Sequence, residues 1–368
     1  MNRMSVVSPP SIVSFTEPLH LACGQVLSDW NLAYESWGTL DEDGTNAILV
    51  CHALTSDCHV TSAGMPGVAS GWWEEMVGPG KTIDTNRFFV LCINALGGSH
   101  GSSGPATPQP GGTQSYGMRF PFVTVDDMVR AQKRLLDRMG IHRLQLVIGG
   151  CLGGMQALAW GLHYPTMVNA VVALSARLAS SSSTLALWSA VRRAIRLDPQ
   201  WRDGDYYDGP IPHQGLGLAT VIGLLHWMDG QTLEARYGRR RRGDGPGTLD
   251  SDFEIEHMFD GVVARAGGKI DPNSMIYLTR AIDYFDLSEA IIGAISTGQQ
   301  LPPHLIVNYH RDLRYPPEEG EKLAAALSAA GARASTLTMD CAIAHGGFLI
   351  EQAAITVPVR DFMRSLVQ

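Results

Sequence analysis

The densest chemical signal in the chain is Leu146-Val147-Ile148-Gly149-Gly150-Cys151-Leu152-Gly153-Gly154-Met155. An apolar run leads into a turn with four glycines around one cysteine, and a helical stretch, 152–164, follows until Pro165. This is the form of a nucleophile elbow, in which glycines two residues either side let a strand and a helix approach closely. A residue at the tip projects from the sheet edge, with a helix N-terminus beneath it to stabilise negative charge. Cysteine there is a nucleophile for acyl transfer. The competing readings are a buried structural cysteine and a dinucleotide-binding loop. Four glycines argue against the first, and the lack of G-x-G-x-x-G spacing argues against the second.

A thiol nucleophile needs a base, and the base needs an orienting acid. Asp312 follows the apolar run Leu305–Tyr309, and His345 follows 334–339, so the chain order is nucleophile, acid, base. An oxyanion hole needs two backbone N–H donors. Leu152, just after Cys151, supplies one, and Leu54 in His52-Ala53-Leu54-Thr55 is placed for the other. Cys51, His52, Cys58 and His59 could be drawn as a metal site, but their spacing does not suit structural zinc.

The elements that must position these groups are legible as alternating patterns. Strands are expected at 47–54, 87–95, 144–149, 169–174, 305–309 and 334–339. A helix is expected at 125–139, with Thr124 as N-cap and Asp127 completing a capping box. This alternation argues for a mostly parallel sheet with helices on both faces. Between about 176 and 300 it breaks into helices at 184–196, 216–228, 252–259 and 272–284. The expected organisation is an α/β-hydrolase core in two parts, 1–175 and 301–368, with a helical cap at 176–300.

Composition sets outer bounds. The 368 residues are 45% hydrophobic and 17% charged, with net charge −8, an ordinary globular balance that favours neither nucleic acid nor an anionic membrane as partner. The run Arg239–Arg242 reads as a solvated loop rather than a nucleic-acid patch. No apolar signal segment precedes the first strand, and no apolar run is long enough to span a membrane. Six scattered cysteines fit reduced thiols, and with these points imply a cytoplasmic protein.

The chain also resembles the homoserine O-acetyltransferase family, which includes serine and deacetylcephalosporin C acyltransferases. The resemblance rests on His52–Thr55, Gly71-Trp72-Trp73, Gly78–Lys81, Asn94–Gly98, Gly101–Pro105, Phe120-Pro121 through Val129, Gly149–Met155, Arg193–Ile195 with Asp198-Pro199, Tyr237–Arg239, Asn273–Asp283 and His345 with Phe348–Glu351. It implies an acyl-CoA co-substrate, expected to be acetyl-CoA, ping-pong transfer, Arg239 at the substrate site, no bound cofactor, and a homodimer formed largely through the cap.

The departures carry information of their own. The family nucleophile is serine followed by methionine; here it is Cys151 followed by Leu152. A family arginine that binds the substrate carboxylate is Thr220, a tyrosine two turns on is Trp227, and the aspartate after the catalytic histidine is Gly346. Losing an arginine and a carboxylate removes the partners of a zwitterion. The acceptor is therefore expected to be neither homoserine nor serine, but larger and less charged, packed on Trp227 in a roomier, apolar pocket. A cysteine also disfavours esterase chemistry, because thioester exchange is nearly isoenergetic while thiolate attack on an ester runs uphill. The expected function is CoA-dependent acyl transfer, with thioester hydrolysis by the same residues as the alternative. A non-enzymatic binding protein is the remaining reading.

Overall fold

The computed structural model describes residues 9–366 apart from 66, 246 and 269. Its frame is an eight-stranded sheet: β1 Ser11–Phe15, β2 Trp30–Trp37, β3 Ala47–Cys51, β4 Phe89–Ile93, β5 Leu144–Gly150, β6 Val171–Leu174, β7 His304–Tyr309 and β8 Ala334–Met339. The spatial order is β1-β2-β4-β3-β5-β6-β7-β8. β1 and β2, and β2 and β4, pair antiparallel, and every later pair is parallel. The six expected strands form with ends shifted by a few residues. The antiparallel edge at β1 and β2 was not expected. β1 is short and mostly exposed, and β2 (WNLAYESW) interleaves polar residues, so neither shows an apolar run.

The strands nearest the elbow are wholly buried, as a sheet covered on both faces requires: β3, β4, β6 and β7 are buried at every position. Helix α1 is Val125–Arg138 and α2 is Leu152–His163. The Thr124 hydroxyl accepts from Asp127 N–H, and Thr124 N–H donates to the Asp127 carboxylate, the expected capping box. α2 packs across β3, β5 and β6, so the helix carrying the elbow is held by the centre of the sheet.

Between β6 and β7 lie α3 Ser182–Arg196, α4 His213–Leu225, α5 Gly230–Arg236, α6 Glu254–Ala264, α7 Pro272–Asp283 and α8 Ser288–Thr297. α5 and α8 had no counterpart in the pattern reading. α3 packs on α4 and α7, and α4 on α6, while α8 turns back onto α2. The chain leaves and rejoins the core at one place: Ser180 N–H donates to Phe285 O and Leu287 N–H to Leu178 O, both 3.1 Å. α9 Pro317–Ala329 covers β7 and β8, and short α10 Gly347–Ile350 and α11 Gln352–Arg364 close the chain. Among the described residues, no helix is long and apolar enough to cross a membrane.

Candidate active site

Cys151 sits between β5 and α2 with φ 55° and ψ −118°, a strained conformation for a residue with a side chain. The strain is held by packing. Cys151 N–H donates to Leu174 O at the end of β6 (3.0 Å). A Cβ on Gly153 would lie 2.0 Å from Cys51 O, and one on Gly149 2.5 Å from the same oxygen. The flanking glycines therefore let β3, the elbow and α2 close on one another.

Two loops complete the site. Asp312 follows β7 and is buried; its Oδ1 accepts Arg314 N–H (2.8 Å) and Tyr315 N–H (3.0 Å), which leaves Oδ2 facing His345. His345, in a turn after β8, has its Nδ1 2.9 Å from Asp312 Oδ2. The imidazole is bracketed by Tyr315, ring centroids 5.3 Å apart, and by Phe348 edge-on at 6.3 Å. The imidazole and the Cys151 thiol, both buried and both lining the same cavity, act on one another electrostatically.

Electrostatics separate charge across this contact. Burial alone raises the thiol pKa, but the charge and hydrogen bond of His345, then the Arg314 guanidinium and Leu152 N–H, bring it below the ordinary value. Burial works against His345 protonation, yet Asp312 beside it raises the imidazole to about 9 despite the opposing Arg314. Burial also raises the Asp312 carboxyl, and the His345 charge and hydrogen bond outweigh it and bring it down. The contact thus shifts both groups toward the charged pair, the thiol toward thiolate and the imidazole toward imidazolium.

The thiol opens into a cavity of about 600 Å³ between the sheet edge and α3, α4 and α6. Leu54, Thr220, Trp227 and His345 line it with Cys151. Leu152 is fully buried at the first turn of α2, its N–H at the thiol. The Thr220 hydroxyl already donates to Leu216 O within its own helix (2.8 Å). Gly346 lies behind Trp227: a Cβ there would meet the indole at 2.2 Å. Arg239 is elsewhere, exposed, with its guanidinium over the Phe253 ring, and it does not line the cavity. Its neighbours Arg240 and Arg241 pair with Glu254 and Asp252.

Among the cavity residues not singled out from sequence, Arg314 stands nearest the chemistry. Arg314 is 8% exposed, lies beside the thiol, donates to Gly223 O (2.7 Å) and stacks over Trp188 at 5.0 Å. Its Nε has no hydrogen-bond partner, and among the described residues no carboxylate lies within ion-pair distance. The available signal was a cation two residues after the acid, at the carboxyl end of a core strand. Of the residues set aside as metal donors on spacing, His59 bonds Glu35 and Ala69 O, and His52 bonds Ala53 O and Ala95 N–H. Among the described residues, no three His, Cys, Asp or Glu side chains are grouped to hold a metal ion.

This sheet order, with a nucleophile-type elbow after β5 and acid and histidine after β7 and β8, defines an α/β-hydrolase fold. The family model for that fold matches residues 46–327. A homoserine O-acetyltransferase of Rhodopseudomonas palustris (strain BisB18) is 37% identical over 95% of this chain and 88% of its own. A homoserine O-succinyltransferase of Bordetella pertussis is 37% identical over 98% of this chain and 89% of its own. The crystal structure of homoserine O-acetyltransferase from Bacillus anthracis superposes with a TM-score of 0.88 at 27% identity, covering 97% of this chain and 98% of that one. The chain belongs to the homoserine O-acetyltransferase family of α/β-hydrolase-fold acyltransferases.

Proposed function

We propose that the protein transfers an acyl group from acyl-CoA to a small-molecule acceptor through a thioester on Cys151. The observation that carries this is the Cys151–His345–Asp312 contact chain at the closed end of an apolar cavity. The Cys151 thiolate attacks the thioester carbonyl, and the Leu54 and Leu152 N–H groups face the developing oxyanion. The bond to the CoA sulfur breaks, and CoA leaves with the proton of the His345 imidazolium. In the second half, the acceptor hydroxyl gives its proton to His345 and its oxygen attacks the acyl carbon. The bond to Cys151 breaks, and the thiolate–imidazolium pair returns. Asp312 holds the ring in position throughout.

Arg314 refines the donor. A buried guanidinium without a carboxylate partner is costly unless a ligand supplies the anion. Its place beside the thiol supports an acyl group that ends in a carboxylate, such as succinyl, over the acetyl group expected from sequence. The name of the Bordetella pertussis relative is consistent with that choice. A homodimer through the cap accompanies this reading, as the family resemblance implies.

Intact-mass measurement after mixing with succinyl-CoA or acetyl-CoA tests the proposal. An adduct on Cys151 that persists until an acceptor is added, and forms faster from succinyl-CoA, is the expected result. Rapid release of free acid without acceptor makes the protein a thioesterase instead. No adduct and no CoA release refute both.

A further inference from the structure

We infer that Trp227, seated on Gly346, makes the acceptor subsite an apolar shelf that takes a hydroxyl compound without an ammonium group. This rests on the acyl-enzyme reading above and concerns only its second half.

Three observations converge. First, the cavity is lined by Arg265 and Arg314 and by no aspartate or glutamate among the described residues. In the acyl-enzyme His345 is neutral and the charged side chains lining the cavity are these two cations, so an ammonium placed there finds no anionic partner, and burying it unpaired is costly. Second, Gly346 directly follows the base and has φ −84°, a conformation open to any residue. Its glycine is required instead by the indole: a Cβ would lie 2.2 Å from Trp227 Cζ2 and 2.5 Å from Cε2. The volume in which a side chain at 346 could meet an acceptor is filled by Trp227. Third, the Thr220 hydroxyl proton is spent on Leu216 O, so it offers no donor to an acceptor carboxylate. Arg314, the one cation beside the thiol, is matched to the acyl group.

The shelf is held fixed relative to the base. Trp227 follows α4, its N–H donating to Leu224 O (3.0 Å), and Asp229 two residues on caps α5. Thr232 of α5 donates to Ala342 O (2.7 Å), and Arg311 joins Asp229 to Cys341 O (3.3 and 3.0 Å). The corner that carries the indole and the loop that carries His345 are thus tied together. An aromatic face in that position offers stacking area to a flat or aliphatic acceptor body.

The test is loading followed by discharge. Enzyme is loaded with succinyl-CoA or acetyl-CoA, the acyl-Cys151 fraction is measured by intact mass, and discharge is followed with 2-phenylethanol, 1-butanol, L-homoserine or L-serine. Rates are normalised to the loaded fraction. The neutral alcohols are expected to discharge wild type about tenfold or more faster than either amino acid, as an unpaired buried ammonium implies. Trp227→Leu raises KM for 2-phenylethanol about tenfold and changes kcat far less, as the loss of a stacking face implies. Gly346→Asp slows discharge by the alcohols, and adding Trp227→Ala to it raises discharge by homoserine above wild type. Discharge faster with homoserine or serine than with the alcohols, or a Trp227→Leu enzyme with unchanged KM, overturns the inference while leaving the acyl-enzyme intact. A wild-type enzyme that never loads refutes the acyl-enzyme reading and this inference together.

Discussion

Replacing Arg314 with methionine separates recognition from chemistry. The guanidinium is almost fully buried, and a succinyl carboxylate placed against it would be held at hydrogen-bond range. Two unit charges 4 Å apart attract by about 4 kcal/mol at an effective dielectric near 20, and desolvation of the carboxylate takes back part of that. The net for a charged hydrogen bond is about 2–3 kcal/mol, which is a factor of roughly 30–150 in rate. Arg314 also helps to lower the Cys151 pKa, and its loss slows acylation by any donor. The informative quantity is therefore a ratio, kcat/KM for succinyl-CoA over that for acetyl-CoA, measured by CoA release. It should fall by about 30-fold or more in Arg314→Met, because the pKa effect cancels. Stability should change little, since the variant loses one hydrogen bond and a ring contact but also an unmatched buried charge; the melting temperature stays within about 3 °C of wild type. A ratio that moves less than about threefold refutes the assignment of Arg314 to the acyl group.

The remaining predictions concern the thiol and its frame. Iodoacetamide should alkylate Cys151 ahead of the other buried cysteines, because His345 lowers its pKa while burial pushes Cys51, Cys58 and Cys92 up and Cys341 up to about 11. Peptide mapping reads this, and a Cys151 alkylation rate that climbs only above pH 9 refutes the ion pair. As pH falls, acylation declines when the thiolate takes up a proton; as pH rises, the imidazolium is lost near 9, so the profile is bell-shaped with limits that belong to the pair. Asp312→Asn removes the largest influence holding the proton on His345 and should lower neutral-pH acylation by roughly 10²–10⁴-fold, with the bell narrowed from its alkaline side. Gly153→Ala puts a methyl 2.0 Å from Cys51 O, where backbone faces backbone, and should cost about 2 kcal/mol or more in denaturant unfolding.

The elbow was legible because its requirements are local. Gly149, Cys151 and Gly153 sit within five residues, and the backbone approach that demands them follows from a strand entering a helix. Asp312 and His345 were placed by their order after the runs 305–309 and 334–339, of which only the first is apolar and wholly buried, and the structure sets His345 Nδ1 2.9 Å from Asp312 Oδ2. The edge strands β1 and β2 were not legible, since one face of each keeps polar residues and no apolar run marks them. α8 was missed for a different reason: it carries apolar residues around its circumference, with Ile292 and Ile295 exposed and only Ile291 and Ala294 of its ten residues buried, so no single face stands out.

Specificity was harder to read than catalysis because it is set by contacts between distant segments. Arg239 looked like a substrate ligand from its motif, yet its side chain spends itself on Phe253. Arg314 was not singled out from sequence, yet the turn that lets its own N–H cap Asp312 also sends its guanidinium into the cavity. Position 346 looked like a lost carboxylate, and the structure shows why it cannot simply be restored: the indole of Trp227 occupies its place. The two substitutions are one steric event, and reversing either alone leaves an overlap or a void. Trp227 and Gly346 are thus to be read as a pair, and Thr220, whose hydroxyl is bonded within its own helix, lines the same cavity.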